Sequence, residues 1–162
     1  MTQLGTAFLT SARHRFSDRF SRLRFVEVGS HDDLNFASLT LRNDSHYLRL
    51  SCDFRDRFVT ASFGPLVEGV VPPVPIAPAR DKDHVQEIPS GVLLWSVTGN
   101  KASSFGLGRY EHETAVDIDR AVGRVADALA SDGAEILSGD YRAWTRAAEL
   151  SVSRVWREGS PQ

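Results

Sequence analysis

Residues Ser45 to Leu66, SHYLRLSCDFRDRFVTASFGPL, alternate apolar and polar side chains, break at the charged corner Asp53-Phe54-Arg55-Asp56, and then alternate again. A period of two marks a strand with one buried face. Two such runs joined by a short polar corner predict an antiparallel pair, His46 to Phe54 and Arg57 to Phe63, sharing that face. Leu48, Leu50, Cys52 and Phe54 fall on its buried side. Tyr47, Arg49, Ser51 and Asp53, with Phe58, Thr60 and Ser62 of the neighbour, fall on a face expected to meet water. Gly64-Pro65 closes the pair.

The same reading extends in both directions. Asn43-Asp44-Ser45 is a turn, and Phe36 to Arg42 before it predicts a strand with Ala37, Leu39 and Leu41 on one side. Arg22 to Val28 predicts the first strand, stopped by Gly29 and the polar run Ser30-His31-Asp32-Asp33. Leu4, Phe8, Ala12, Phe16 and Phe20 recur every fourth residue, which predicts an amphipathic N-terminal helix ending near Ser17 or Phe20. Beyond Leu66, five prolines between Val67 and Pro89 deny regular hydrogen bonding. Val70, Val71, Val74 and Ile76 in that stretch predict an arm pressed across the domain. Gly91 to Thr98 is compatible with a helix or a strand, and Gly99 to Gly108 reads as a loop anchored by Phe105. Thr114 to Ser131 predicts a helix striped by Ile118, Val122, Val125, Ala126 and Leu129, capped by Thr114 and ended by Gly133. Asp140 caps a last helix, Tyr141 to about Arg157, striped by Trp144, Ala147, Ala148, Ser151 and Val155, before a fraying tail. The architecture that follows is α+β: one domain over residues 1–162, with an antiparallel meander of about four strands and a Pro-rich arm at 67–89. An N-terminal helix and two C-terminal helices pack one face of the sheet.

At 162 residues, with 41% hydrophobic and 25% charged side chains, the chain has the composition of a globular protein with its own core. Its formal net charge of −2 gives no general attraction to nucleic acid or anionic membrane. Lys82 and Lys101 are the only lysines; arginine supplies the other basic side chains. Cys52 is the only cysteine, which excludes an intrachain disulfide and a cysteine-built zinc site and fits a buried structural thiol. The start, MTQLGTAFLTSARHR, has neither a signal-peptide pattern nor a membrane-spanning run, so a cytoplasmic location is expected.

No stretch carries a catalytic signature. His31-Asp32-Asp33 has the donor types for a metal or an acid/base site, but adjacent ligands need distant partners. The other histidines, His14, His46, His84 and His112, show no ligand spacing. The cluster reads as a polar turn. Glu111-His112-Glu113 precedes the Thr114 helix, where carboxylates favour the helix start. Gly106-Leu107-Gly108 lacks the third glycine of a dinucleotide fingerprint, with Glu111 in its place, and no phosphate-binding lysine follows. Arg13, Arg15, Arg19, Arg22 and Arg24 read as the solvated face of the first helix. Trp95, Tyr141, Trp144 and Trp156 read as packing unless exposed. The expectation is therefore no catalytic residue, no cofactor and no metal.

The charged corner Asp53 to Asp56, the strand end Gly64-Pro65-Leu66, the segment Leu137-Ser138-Gly139-Asp140 opening a last helix, and the aromatic Trp144 resemble a loose group of small bacterial proteins. Some of these are immunity proteins encoded beside polymorphic toxins. The resemblance spans about two-thirds of the chain and rests on turn and cap residues. It implies a bacterial, cytoplasmic, non-enzymatic protein that neutralises a cognate toxin by binding it; the net charge, for its part, leaves no nucleic acid or membrane as expected partner. An enzyme with a dispersed polar site, drawn from His31, Asp32, Asp33 and His112, is the alternative. A structural subunit or chaperone of a secretion or phage-related assembly is another. For a toxin with a basic cleft, the expected contact residues are the loop carboxylates Asp81, Asp83, Glu87, Glu111 and Glu113.

Overall fold

Thr2 caps the first helix by accepting from the Gly5 amide at 2.8 Å, and the helix, α1, runs Gln3–Phe20. Its inner stripe includes Phe8, Leu9, Ala12, Phe16 and Phe20, all buried. Each large side chain removed from water contributes about 2 kcal/mol. In the computed structural model, the backbone is described for residues 1–159 and the side chains for residues 1–153; the expectations for Val155, Trp156 and the tail lie outside those residues.

The sheet is a five-stranded antiparallel meander in the order β1-β2-β3-β4-β5. Its strands are β1 (Val26–Asp32), β2 (Phe36–Arg42), β3 (His46–Asp53), β4 (Phe58–Pro65) and the two-residue β5 (Ile88–Pro89). The expected shared face holds: Leu39 faces Leu50 and Leu50 faces Ala61, so the apolar set lines one side. Asn43 fixes the β2–β3 turn by accepting from the Ser45 and His46 amides. Asp53 fixes the β3–β4 corner by accepting from Arg55 and Asp56. β5 is the strand the sequence does not announce. Pro89 lacks an N–H, and the strand takes the edge beside β4, where a proline is tolerated.

β1 lies further along the chain than the expected Arg22 to Val28. Ser21–Leu23 instead continues α1 as a 3-10 turn, and Arg24 adopts a left-handed φ of 58°. Gly29 does not stop the strand; it sits at a bulge where the register shifts between Glu27 and Gly29. The turn falls at Asp33, whose carboxylate accepts from the Asn35 and Phe36 amides. β1 is exposed on both sides. Its bulge, together with the charged Glu27 and Asp32, disfavours pairing with a further strand.

Helices α2 (Ser90–Thr98), α3 (Lys101–Gly106), α4 (Ala115–Ser131), α5 (Ala134–Leu137) and α6 (Tyr141–Gly159) follow. The ambiguous run at 91–98 is helical. The expected loop at 99–108 contains α3, started by Asn100 accepting from Ser103. Thr114 caps α4 by accepting from Asp117, and Asp140 caps α6 by accepting from Ala143. Gly133 does not end α4 in a left-handed turn. It has φ −89° and opens α5, while the left-handed glycine, at φ 92°, is Gly139 before α6. α1 packs on α4 and β2, and α6 packs on α2 and β5. Cys52 is buried in this core 3.4 Å from the Tyr110 hydroxyl, and burial pushes its thiol up to about 11.

One titrating group couples this packing to pH. The His46 ring stacks on Phe63 at 4.9 Å, nearly parallel, and burial lowers its pKa below the ordinary histidine value. The unfolded chain then binds the proton more readily, so the contribution is full above about pH 6.5 and is lost as pH falls through the folded value. His84 acts in the opposite sense, raised by Asp81, but it is common to both proteins in the comparison that follows. Urea midpoints measured between about pH 7.5 and pH 5 should fall more steeply for the wild type than for His46→Phe. Parallel curves would show that His46 does not carry the effect.

Candidate functional site: the proline-rich arm

The arm between β4 and β5 leaves the sheet through a tight turn. Val67 and Val70 exchange backbone hydrogen bonds of 2.9 and 3.0 Å. The two residues between them, Glu68 and Gly69, both have positive φ, as in the primed turns of hairpins. Arg42 Nη1 donates to the Gly69 carbonyl at 2.9 Å. The arm then crosses the outer side of the sheet, so that face is not simply open to water. Tyr47 is fully buried there, contrary to the expectation for it.

Arg49 holds both ends of the arm. Its Nη2 donates to the Pro72 carbonyl at 2.7 Å, and its Nη1 donates to Glu87 Oε2 at 2.8 Å. The Tyr47 hydroxyl donates to the same Glu87 oxygen at 2.9 Å, and the guanidinium lies 5.2 Å from the Tyr47 ring centroid. The Arg49 and Glu87 side chains are only 15% and 13% exposed, so this pair is shielded from the screening that weakens surface pairs. Burial and the Glu87 charge push the Tyr47 phenol upward. Gly64 completes the base, because a Cβ there would collide with the Gln86 carbonyl.

Between these ends two of the aliphatic side chains meet solvent, while Val85 packs on the core. The arm was expected to press its aliphatics on the domain, but Val74 is 62% exposed and Ile76 fully so. Arg49, the Gly64 contact, the Gly69 bond and the packing of Val85 on the core hold the arm; Val74 and Ile76 do not. The arm borders a cleft of about 660 Å³ whose lining residues include Val74, Val85, Pro89, Val92 and Ser151.

The five expected contact carboxylates do not form one surface. Glu87 faces inward to Arg49 and Tyr47. Asp81 caps the 3-10 turn Lys82–His84 by accepting from Asp83, and it pairs with His84 at 2.7 Å. Asp83 is exposed. Glu111 and Glu113 lie on the connection before α4, where Arg57 reaches the Glu111 carbonyl at 2.8 Å and Glu113 at 3.5 Å.

The other sequence candidates are tied into structure. Asp32 accepts from the Thr2 amide and hydroxyl. Asp33 holds its turn, with its pKa lowered by the Asn35 amide and by His31. His112 lies 3.9 Å from Glu111. Among the described residues, no group of three or more His, Cys, Asp or Glu side chains is placed to hold a metal ion. The basic first helix is neutralised at three positions: Arg13 by Glu27, Arg15 by Asp119 and Arg19 by Asp127. Gly108 belongs to packing, since its carbonyl accepts from the Val59 amide at 2.9 Å. Trp95 packs beneath Lys101 and against Phe105, Trp144 meets Phe63 edge-on, and Tyr141 is exposed. No described helix is long and apolar enough to cross a membrane. No family model, no curated protein and no solved structure matches the chain.

Proposed function

We propose that this chain is a non-enzymatic binding protein of the bacterial cytoplasm, acting as an immunity protein that neutralises a cognate toxin by holding it against the arm. One observation carries the reading: exposed aliphatic side chains on a loop whose base is fixed by a shielded ion pair. Exposed Val and Ile side chains grouped in this way mark interaction sites. A loop already held in place gives up little entropy when a partner closes on it. The resemblance in the turn and cap residues supports the toxin as the partner.

The test is co-expression with the product of the adjacent gene. Wild-type protein should restore growth and bind that product. Val74→Asp and Ile76→Asp should weaken binding at least about thirtyfold, as loss of central apolar anchors does. Their melting temperatures should stay unchanged, since both side chains already meet solvent. Charge reversal at Asp83, Glu111 and Glu113 reports separately on the acidic loops. A wild-type protein that neither rescues growth nor binds the adjacent product counts against the immunity reading.

A further inference from the structure

We infer that the pocket between the Lys82–His84 turn and α6 takes an arginine side chain of the partner protein, with Asp83 as its counter-charge and Tyr141 and Trp144 as its aromatic lining. The inference rests on the binding reading above and names a group the partner must present. Asp83, Tyr141 and Trp144 line one cavity of about 280 Å³, with Pro65, Val85 and Ala148 as its apolar part. That volume is below the range for whole small-molecule ligands and suits a single side chain. Tyr141, Trp144, Thr145 and Ala148 share it because residues three and four apart lie on one face of a helix. Trp144 is fixed there by its edge-on contact with Phe63.

Charge selects the occupant. Among the carboxylates expected at an interface, Asp81 is taken by the Asp83 amide and His84, Glu87 by Arg49 and Tyr47, and Glu113 by Arg57, while Glu111 approaches His112 at 3.9 Å. The Asp83 carboxylate is exposed and makes no hydrogen bond or ion pair with a described residue. Lys82 also lines the pocket, but its ammonium is held by Glu149 at 3.2 Å. Asp81, Asp83 and Glu149 outnumber Lys82 and His84 whichever form the imidazole takes, so an entering cation meets net negative charge. A guanidinium suits the lining better than an ammonium: it is planar, lies on aromatic rings and forks onto a carboxylate. The fold already holds one arginine with this pair of groups, since Arg49 lies 5.2 Å from the Tyr47 ring centroid and 2.8 Å from Glu87.

The experiment uses the full chain and capped tripeptides, acetyl-Gly-Xaa-Gly-amide, with arginine, lysine or uncharged citrulline at the centre. Binding is followed through the NMR shifts of the backbone amides. The arginine peptide should move the Asp83 and Tyr141 amides. The citrulline peptide should bind at least about tenfold more weakly and the lysine peptide at least about threefold. Asp83→Asn should weaken the arginine peptide about fivefold, and Tyr141→Ala about threefold. Both variants should keep the wild-type melting temperature, since both side chains already meet solvent. Glu111→Gln should change nothing. The double variant Asp83→Asn/Tyr141→Ala should bind the adjacent gene product at least about tenfold more weakly. The inference is overturned if the arginine peptide moves neither amide, if the lysine or citrulline peptide binds as tightly, or if Glu111→Gln weakens binding as much as Asp83→Asn. It is equally overturned if the adjacent product binds the double variant with wild-type affinity, an outcome that leaves the immunity reading standing. If no adjacent product binds while the peptides rank as expected, the immunity reading fails and the preference of the pocket for arginine stands.

Discussion

Leu48→Asp should abolish cooperative unfolding at 25 °C and leave a chain without fixed tertiary structure. Leu48 is fully buried and lies between Leu41 of β2 and Phe63 of β4 in the register. Truncating such a side chain alone costs about 2–5 kcal/mol through lost transfer energy and the cavity left behind. The carboxylate adds a charge that finds no partner in the apolar cluster, a further cost of several kcal/mol. Domains of this size are stable by about 5–15 kcal/mol, so the sum removes most or all of that margin. Ser51→Lys provides the control. Ser51 lies three residues along the same strand, half-buried on the opposite side between Ser38 and Thr60, and its substitution should change stability by within about 1 kcal/mol. Circular dichroism and urea titration of the two variants decide the matter. A folded Leu48→Asp beside an unfolded Ser51→Lys would reverse the assignment of the strand faces.

The prediction rests on the part of the fold that was most legible. Strict alternation from Ser45 to Leu66 fixes which side chains share a face, because a slip of one residue would move all of them to the other side. Helix caps were legible for a similar reason: Thr114 and Asp140 are short acceptors three residues ahead of an amide that needs one. β1 was misplaced because its alternation is interrupted by a bulge, and because none of its side chains is buried enough to pattern the sequence. Its true stop is the Asp33 side-chain turn, which Gly29 masks. β5 left no signal, since two residues ending in proline carry no period.

The site was legible only in outline. Five prolines announce an irregular arm, but Val74 and Ile76 gave the wrong expectation about what holds it. The contacts that fix it run from Arg42, Arg49 and Gly64 on the sheet to Gly69, Pro72, Gln86 and Glu87 on the arm. Several of these end on backbone carbonyls, which no sequence distinguishes. Glu87 looked like a loop carboxylate for the same reason. Which acid meets Arg49 depends on where the arm returns to the sheet at β5, and that is set by long-range packing. A single hint was present: Arg49 and Tyr47 share the outward side of a strand, a costly pair to leave beside a stretch without hydrogen-bonding order.

Arg49→Ala should release the arm while leaving the core folded. It removes the donor to Pro72 and leaves Glu87, 13% exposed, without its counter-charge. Breaking a buried pair from one side costs about 3–5 kcal/mol, and partial access to water and the remaining Tyr47 bond lower this to about 2–4 kcal/mol here. The loss is local, because the apolar side of the sheet is untouched. Trypsin therefore provides the direct readout: Arg80 and Lys82 both lie in the arm, and cleavage there should accelerate at least about tenfold as the open form becomes more populated. Glu87→Ala should do the same. The double variant should be less destabilised than the sum of the two, by roughly 1–3 kcal/mol, since the first substitution has already spent the interaction. On the proposed immunity reading, binding of the adjacent gene product should fall in the same order, because a loosened arm must be re-ordered before it can close on a partner. Additive losses, or an arm that resists trypsin in Arg49→Ala, would show that the prolines alone hold its shape and that Arg49 is not the staple.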